Sequence, residues 1–261
     1  MNLGLNGRIA LVTGGSLGIG FACARLLAVE GASVAIASRS QEHLQAAVGS
    51  LAAEGLSVRA YAADLRDAHD AARMVDALER DCGPIDILVN SAGAAKRYAP
   101  DTLSADAWHD TMDAKYFTTM HVLDPVLKRM VARNRGAIVN IIGQGGKVAG
   151  VYHIAGGAAN SATMLATVGL ANAYAKQGVR VNAINPGATM TGRVREALLL
   201  EAERDGIDET EALTRAQSRI PIGRFAQPED IARMAVFLAS DMASYVTGAI
   251  VPMDGGSSPV I

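Results

Sequence analysis

The chain has 261 residues, half of them hydrophobic, and 27 glycines, enough for one large α/β domain with a buried core. Its formal net charge is -2, and acidic and basic residues are interspersed, which excludes the basic surfaces typical of nucleic-acid and anionic-membrane binding. The sequence shows no signal peptide and no apolar run approaching the ~20 residues of a membrane span, so we predict a cytoplasmic protein.

Short β-branched segments alternate with longer amphipathic segments along the whole chain. The predicted strands are RIALVTG, SVAIAS, VRAYAAD, IDILVNSAG, AIVNIIG, VRVNAINPG and AIVPMDGG. They are almost continuously apolar, which indicates burial on both faces of a parallel sheet. Helical segments such as ACARLLAVEG end in glycine, a common stop signal. The pattern predicts an α/β fold, a single doubly wound parallel sheet of about seven strands flanked by helices.

No linker, repeat or low-complexity tract interrupts the chain, so residues 1–261 are predicted to form one domain. The charged, leucine-rich segment 192–224 breaks the alternation before the last strand. We expect one or two exposed helices there, acting as a substrate lid or as a surface insertion without that role. Cys23 and Cys82 are far apart and lack metal-ligand spacing, which predicts neither a disulfide scaffold nor a metal site. Cys23 lies in an apolar helix and should be a buried structural thiol.

The segment TGGSLGIG, residues 13–20, follows the first strand and opens a helix. Glycines at 14, 18 and 20 allow a tight turn and close approach of the backbone to a diphosphate, which the helix N-terminus would bind. Because this motif occurs in the required strand–turn–helix context, it predicts a dinucleotide site. The predicted contacts in the turn are Gly14, Ser16, Leu17, Gly18, Ile19 and Gly20.

The second strand ends at Ser38 and Arg39, where an acidic residue would favour NAD. A guanidinium at this position can pair with a ribose 2′-phosphate. The alternative is a solvated arginine at a strand end. We therefore predict NADP(H) as the cofactor.

These motifs, together with NSAG at 90–93, NPGATMT at 185–191 and the C-terminal stretch GRFAQPEDIARMAVFLASDMASYVTGAIVPMDGG, resemble the short-chain dehydrogenase/reductase family over essentially the full length. The resemblance implies a Rossmann-like domain and a homo-oligomer, a tetramer or dimer, acting on a small-molecule substrate. It also implies that Asp64 orients the adenine, that the 90–93 turn supports the adenosine ribose, and that Pro186, Gly187 and Thr191 hold the nicotinamide end. The remaining cofactor contacts predicted by position are Leu65, Asn90, Ala92, Gly93, Thr189 and Asn160.

Family members usually carry a catalytic Ser, Tyr, Lys and Asn, and the aligned positions here hold Gly143, Gly156, Asn160 and Lys115. Compared with the family, Asn and Lys are thus exchanged between two positions that we expect to face each other. We expect Lys115 to supply the positive charge and Asn160 to contact the ribose. Otherwise Lys115 is a solvent-facing lysine near a helix start.

His153 and Tyr152 precede Gly156 and are equal candidates for the proton donor. Alternatively, both residues only shape the pocket. Gly143 and Gly156 together predict a void beside the nicotinamide, and Lys96, Arg97, Gln144 and Lys147 are candidate polar contacts or ordinary surface residues. The expected function is an NADP(H)-dependent oxidoreductase acting on a carbonyl/alcohol pair with a rearranged site. The alternatives are a catalytically silent NADP(H)-binding protein and a non-redox lyase or isomerase on the same fold.

Overall fold

The computed structural model describes residues 2–94, 96–148 and 150–258. Within them, seven parallel strands form one sheet in the order β3-β2-β1-β4-β5-β6-β7. The strands are β1 Ile9–Thr13, β2 Ser33–Ser38, β3 Val58–Ala62, β4 Ile87–Asn90, β5 Gly136–Ile141, β6 Val179–Pro186 and β7 Ile250–Met253. The predicted sheet is confirmed, while residues 1 and 259–261 of the predicted domain lie outside the described part.

The helices described are α1 Gly18–Val29, α2 Gln41–Ala53, α3 Ala68–Cys82, α4 Ala105–Met112, α5 Thr118–Ala132, α6 Ile154–Tyr174, α7 Gly192–Asp205, α8 Glu209–Gln217 and α9 Pro228–Ala239. One buried cluster joins α1, α2 and α9 to the sheet, and another joins α3 and α5 to it. Helices therefore cover both faces of the sheet, as a doubly wound topology requires.

The outer strands depart from the predicted two-sided burial. β3 exposes Arg59, Ala60 and Ala62 because it pairs only with β2 at the edge of the sheet. β7 is likewise only partly buried at the opposite edge. Cys23 is fully buried as expected, and burial raises the pKa of its thiol to about 12, which makes it unreactive.

Segment 192–224 forms two helices, α7 and α8, as expected from its charge and leucine content. They enclose a small apolar cluster of Leu198, Ile220 and Phe225, separate from the main core.

Segment Ile154–Gln177, which includes α6, is long and apolar enough to cross a membrane, contrary to the expectation that no run approaches that length. Half of its most apolar window is buried inside the domain, and α6 packs against β6. A helix that packs in the core of a protein has the same apolar composition, and the packing of α6 on β6 explains its apolar character.

Candidate active site

The glycine-rich turn after β1 is built so closely that side chains would not fit. Gly14 and Gly18 have positive φ angles of 65° and 55°. A Cβ on Gly14 would lie 2.9 Å from the Ala92 nitrogen, and one on Gly20 would overlap the Gly14 carbonyl oxygen. The turn therefore presents bare backbone at the carboxyl end of the sheet, between β1 and β4, where nucleotides bind in this topology.

Helix α1 starts from this turn with its first N–H groups uncapped. Leu17 is the N-cap residue, no side chain accepts from the first turn, and that turn contains no acidic residue. An uncapped positive helix end favours a phosphate group. The Leu17 side chain is exposed, Ser16 is buried, and Ile19 packs against the core. Because the Ile19 side chain packs inward, only the backbone of this residue is free to contact a cofactor.

Arg39 and Asp64 lie at the ends of β2 and β3, beside the turn. The Gly14 N–H donates to the Ala37 carbonyl at 2.8 Å. This hydrogen bond joins the turn to β2 at a point two residues before Arg39. Arg39 is exposed and makes no ion pair with any residue that the structure describes. Asp64 is also exposed, and its Oδ1 accepts only the neighbouring Arg66 N–H at 3.1 Å. Both side chains are accessible to a nucleotide.

Three predicted contacts point into the protein instead. The Asn90 side chain is buried, where it donates to Asn140 Oδ1 at 2.9 Å. Leu65 packs in the core, and the Thr189 hydroxyl donates to the Gly187 carbonyl at 3.2 Å. Contact of these residues with the cofactor therefore stays a prediction for their backbone and not for their side chains.

The turn after β4 contacts the backbone next to Lys115. The Thr13 hydroxyl accepts the Ser91 and Ala92 N–H groups at 3.1 and 3.2 Å, which holds this turn to β1. Gly93 has a φ of 133°, and its Cβ would lie 3.2 Å from the Ala114 carbonyl oxygen. The turn after β4 therefore lies against the backbone segment that carries Lys115.

Lys115 belongs to a π-helical turn, Asp113–Phe117, between α4 and α5. Such turns are rare and occur frequently at functional sites. The Lys115 ammonium donates to Asn160 Oδ1 at 2.9 Å, and Asn160 Nδ2 donates to the Gly143 carbonyl at 2.9 Å. The two residues expected to face each other are thus joined. Burial, and then the charge of Arg193, lower the pKa of Lys115 to about 8.

His153 precedes α6 and turns its ring back towards Gly156. A Cβ on Gly156 would overlap His153 Cε1 and lie 2.6 Å from both ring nitrogens. The predicted void is therefore absent, because the imidazole fills the space where a side chain at 156 would begin. At Gly143, a Cβ would lie 3.3 Å from the Asn160 amide nitrogen, so that position is also occupied.

The surroundings of the half-buried His153 disfavour its charged form. Its Nδ1 is buried without a hydrogen-bond partner among the described residues. Burial, followed by the charges of Lys115 and Arg97, holds the pKa of the imidazole below its ordinary value. A neutral imidazole with an unpaired ring nitrogen can accept a proton from a ligand.

Tyr152 does not share this position. It is 62% exposed, and in the described part of the chain no hydrogen bond joins its hydroxyl to Lys115. Helix α6 begins at Ile154, so Tyr152 lies in the preceding loop, where its carbonyl accepts the Tyr98 N–H at 3.3 Å. Of the two candidate proton donors, Tyr152 thus lies exposed in a loop, whereas His153 lies against Gly156.

Arg193, whose charge acts on Lys115, is not among the site residues predicted from the sequence. The sequence pointed to Arg193 only by its place two residues after Thr191, a predicted cofactor contact. In the structure Arg193 lies in the first turn of α7, and Thr191 Cγ2 lies 3.3 Å from where a Cβ on Gly18 would be. Gln144 was a candidate polar contact, and its Oε1 is buried without a partner in the part described, facing Gly187. Among the described residues no cluster of three potential metal ligands occurs.

Comparison with known proteins agrees with this architecture. A family described as enoyl-(acyl carrier protein) reductase matches residues 14–258. D-threitol dehydrogenase from Mycolicibacterium smegmatis is 37% identical over 252 residues, covering 97% of this chain and 93% of that protein. Gluconate 5-dehydrogenase from Gluconobacter oxydans is 35% identical over 252 residues, covering 97% of this chain and 95% of that protein.

Solved structures superpose over nearly the whole chain. L-sorbose reductase from Gluconobacter frateurii, complexed with NADPH and L-sorbose, has a TM-score of 0.95 at 29% identity and covers 100% of both chains. Actinorhodin polyketide ketoreductase with NADPH has a TM-score of 0.92 at 31% identity, covering 97% of this chain and 98% of that one. The full-length matches in sequence and fold show that this chain belongs to the short-chain dehydrogenase/reductase family.

Proposed function

We propose that the protein is an NADP(H)-dependent oxidoreductase that interconverts an alcohol and a carbonyl group of a small molecule. Family membership supports the reaction class, and the NADPH bound to two similar reductases supports the cofactor. The observation that carries the proposal for this chain is the His153 imidazole lying against Gly156, beside a site where Lys115 binds Asn160.

The residues present fit NADP(H). The cradle at Gly14 and Gly20, which a Cβ would fill, receives the diphosphate at the uncapped start of α1. Arg39 pairs with the 2′-phosphate, Asp64 contacts the adenine, and Pro186, Gly187 and Thr191 border the nicotinamide end. When bound, the nicotinamide supplies or accepts the hydride.

Proton transfer falls to His153. During alcohol oxidation, the neutral imidazole takes the hydroxyl proton at the ring nitrogen that carries no hydrogen. The Lys115 ammonium stabilises the negative charge that develops on the substrate oxygen, and Asn160 holds Lys115 in place. In this arrangement Lys115, His153 and Asn160 do the work that the family usually assigns to Tyr, Lys and Asn.

Burial of the imidazole, followed by the charges of Lys115 and Arg97, favours the neutral form of His153, so the site suits removal of a proton better than donation. We therefore expect the oxidation direction to be favoured near neutral pH, with His153 as the base. Reduction requires the imidazolium, whose population falls as pH rises above the lowered pKa of His153.

The test is an activity screen of the purified protein with NADP⁺ on D-threitol, D-gluconate and D-glucitol, and with NADPH on L-sorbose. Turnover that His153→Ala removes supports the proposal. NADPH binding without turnover on any of these compounds would support a silent cofactor-binding protein. Substrate conversion without net oxidation or reduction of the cofactor would support non-redox chemistry.

We also propose that the protein forms a homo-oligomer and that segment 192–224 acts as a lid. On α6, Leu165 is 76% exposed and Val168 is 43% exposed, an apolar pair that a second copy would cover. The cytoplasmic location is likewise a proposal from the sequence.

A further inference from the structure

Cationic side chains converge on His153 from separate elements. The Tyr98 N–H donates to the Tyr152 carbonyl at 3.3 Å, which places the loop carrying Arg97 beside the residue that precedes His153. The charge of Arg97 acts on the imidazole, and so does that of Lys115. Two positive groups, the exposed Arg97 and the partly buried Lys115, therefore lie near the half-buried imidazole.

Arg193 adds a third positive group from the lid. It lies in the first turn of α7, and its charge acts on Lys115. Thr191, two residues earlier, lies against Gly18, so this end of the lid borders the cofactor turn. Arg97 and Arg193 are both exposed, and they lie near the Lys115–His153 pair on two different elements, the loop after β4 and the lid.

These cations lack acidic partners in the described part of the chain. Arg8, Arg25, Arg66, Arg129 and Arg224, elsewhere in the domain, form ion pairs with carboxylates. In the described residues, no carboxylate pairs with Arg97, Lys115 or Arg193, and none contributes to the pKa shifts of Lys115 and His153. Like charges gathered around the partly buried Lys115 and His153 repel each other unless an anion joins them.

We infer that the substrate carries an oxyanion, a carboxylate or phosphate, held by Arg97 and Arg193 while its alcohol lies against His153 and Lys115. This inference rests on the proposed function and names its substrate class. Arginine suits the role because its planar guanidinium binds such groups through two hydrogen bonds. The cofactor diphosphate is a second source of the same chemistry, and the experiment separates the two.

D-gluconate and D-glucitol form a suitable pair of probes. They differ only at one end, where gluconate has a carboxylate and glucitol has a hydroxymethyl group. Their binding is measured by calorimetry with and without NADPH, and NADPH binding is measured separately by nicotinamide fluorescence. The variant is Arg97→Ala/Arg193→Ala. Arg195→Ala, an exposed arginine on the same helix, is the matched control.

The inference predicts that gluconate binds at least ~10-fold more tightly than glucitol, that the double variant removes this difference, and that Arg195→Ala keeps it. Equal binding of both compounds to the wild-type protein overturns it. So does a double variant that loses NADPH affinity while keeping the preference for gluconate, since the arginines then serve the diphosphate. Absence of NADPH binding to the wild-type protein contradicts the proposed function instead, and calorimetry without NADPH still decides the preference.

Discussion

The imidazole of His153 occupies the space in which a side chain at position 156 would begin, with both ring nitrogens 2.6 Å from a Cβ on Gly156. Loss of the side chain at 156 is therefore coupled to placement of a titratable group three residues earlier. The backbone supports this exchange, because the Gly157 N–H donates to the His153 carbonyl at 2.7 Å and fixes the start of α6.

Removing the imidazole should abolish proton transfer and leave a cavity of its own shape. We expect His153→Ala to lower kcat/KM for alcohol oxidation by ~10²–10⁴-fold, the usual contribution of a general base. Added imidazole should restore part of the rate because it can occupy the cavity. Steady-state kinetics with and without imidazole measure both effects, with His43→Ala, an exposed histidine on α2, as the control. A fully active His153→Ala would place the base elsewhere.

The contact between His153 and Gly156 should appear as coupling between substitutions. Gly156→Ala pushes a methyl group into the ring, and overpacking of this kind costs ~1–3 kcal/mol of unfolding free energy. In His153→Ala/Gly156→Ala the ring is absent, so most of that cost should vanish. Denaturant unfolding of both single variants and the double variant measures the coupling. Additive effects would mean that the two residues do not touch in solution.

The sequence predicted the sheet because period, length and glycine stops are local signals, and it predicted the Lys115–Asn160 pair because the two positions have known places in the fold. It did not predict the filled space at Gly156. That depends on the backbone of His153, the N-cap residue, with φ -135° and ψ 29°, which directs the ring back along the helix. The sequence pattern also left Tyr152 and His153 equal. A shift of one residue in where α6 starts decides which of the two side chains is exposed and which is half-buried against the helix.

Lys115 should matter for the chemical step more than for cofactor affinity. Lys115→Met keeps the length of the side chain and removes its charge, so the developing alkoxide loses its nearest cation. We expect kcat to fall by ~10²-fold or more while NADPH affinity changes little. Lys128→Met on α5, which removes an exposed lysine paired with Asp124, is the control. A similar loss of kcat in both variants would show that Lys115 has no specific role in the chemical step.

Alcohol oxidation should have a bell-shaped dependence on pH. His153 must be neutral, and its pKa lies below the ordinary value near 6.5, so activity rises with pH through that lowered value. Lys115 must be charged, so activity falls as pH rises through about 8. Rate profiles of kcat/KM in the wild-type protein and in Lys115→Met test the assignment, because the variant should lose the alkaline limb. An unchanged alkaline limb in the variant would assign it to another group.

Arg39 should determine the choice between the two nicotinamide cofactors. A hydrogen-bonded ion pair to a phosphate contributes ~1.5–3 kcal/mol, so Arg39→Ala should weaken NADPH binding by ~10–100-fold. NADH lacks the 2′-phosphate, and its affinity should stay unchanged, which makes it the internal control. Titrations followed by nicotinamide fluorescence measure both affinities. Since Arg39 is exposed and unpaired in the described part of the chain, the substitution should leave the melting temperature unaltered. Equal losses for NADPH and NADH would mean that Arg39 contacts a part common to both cofactors.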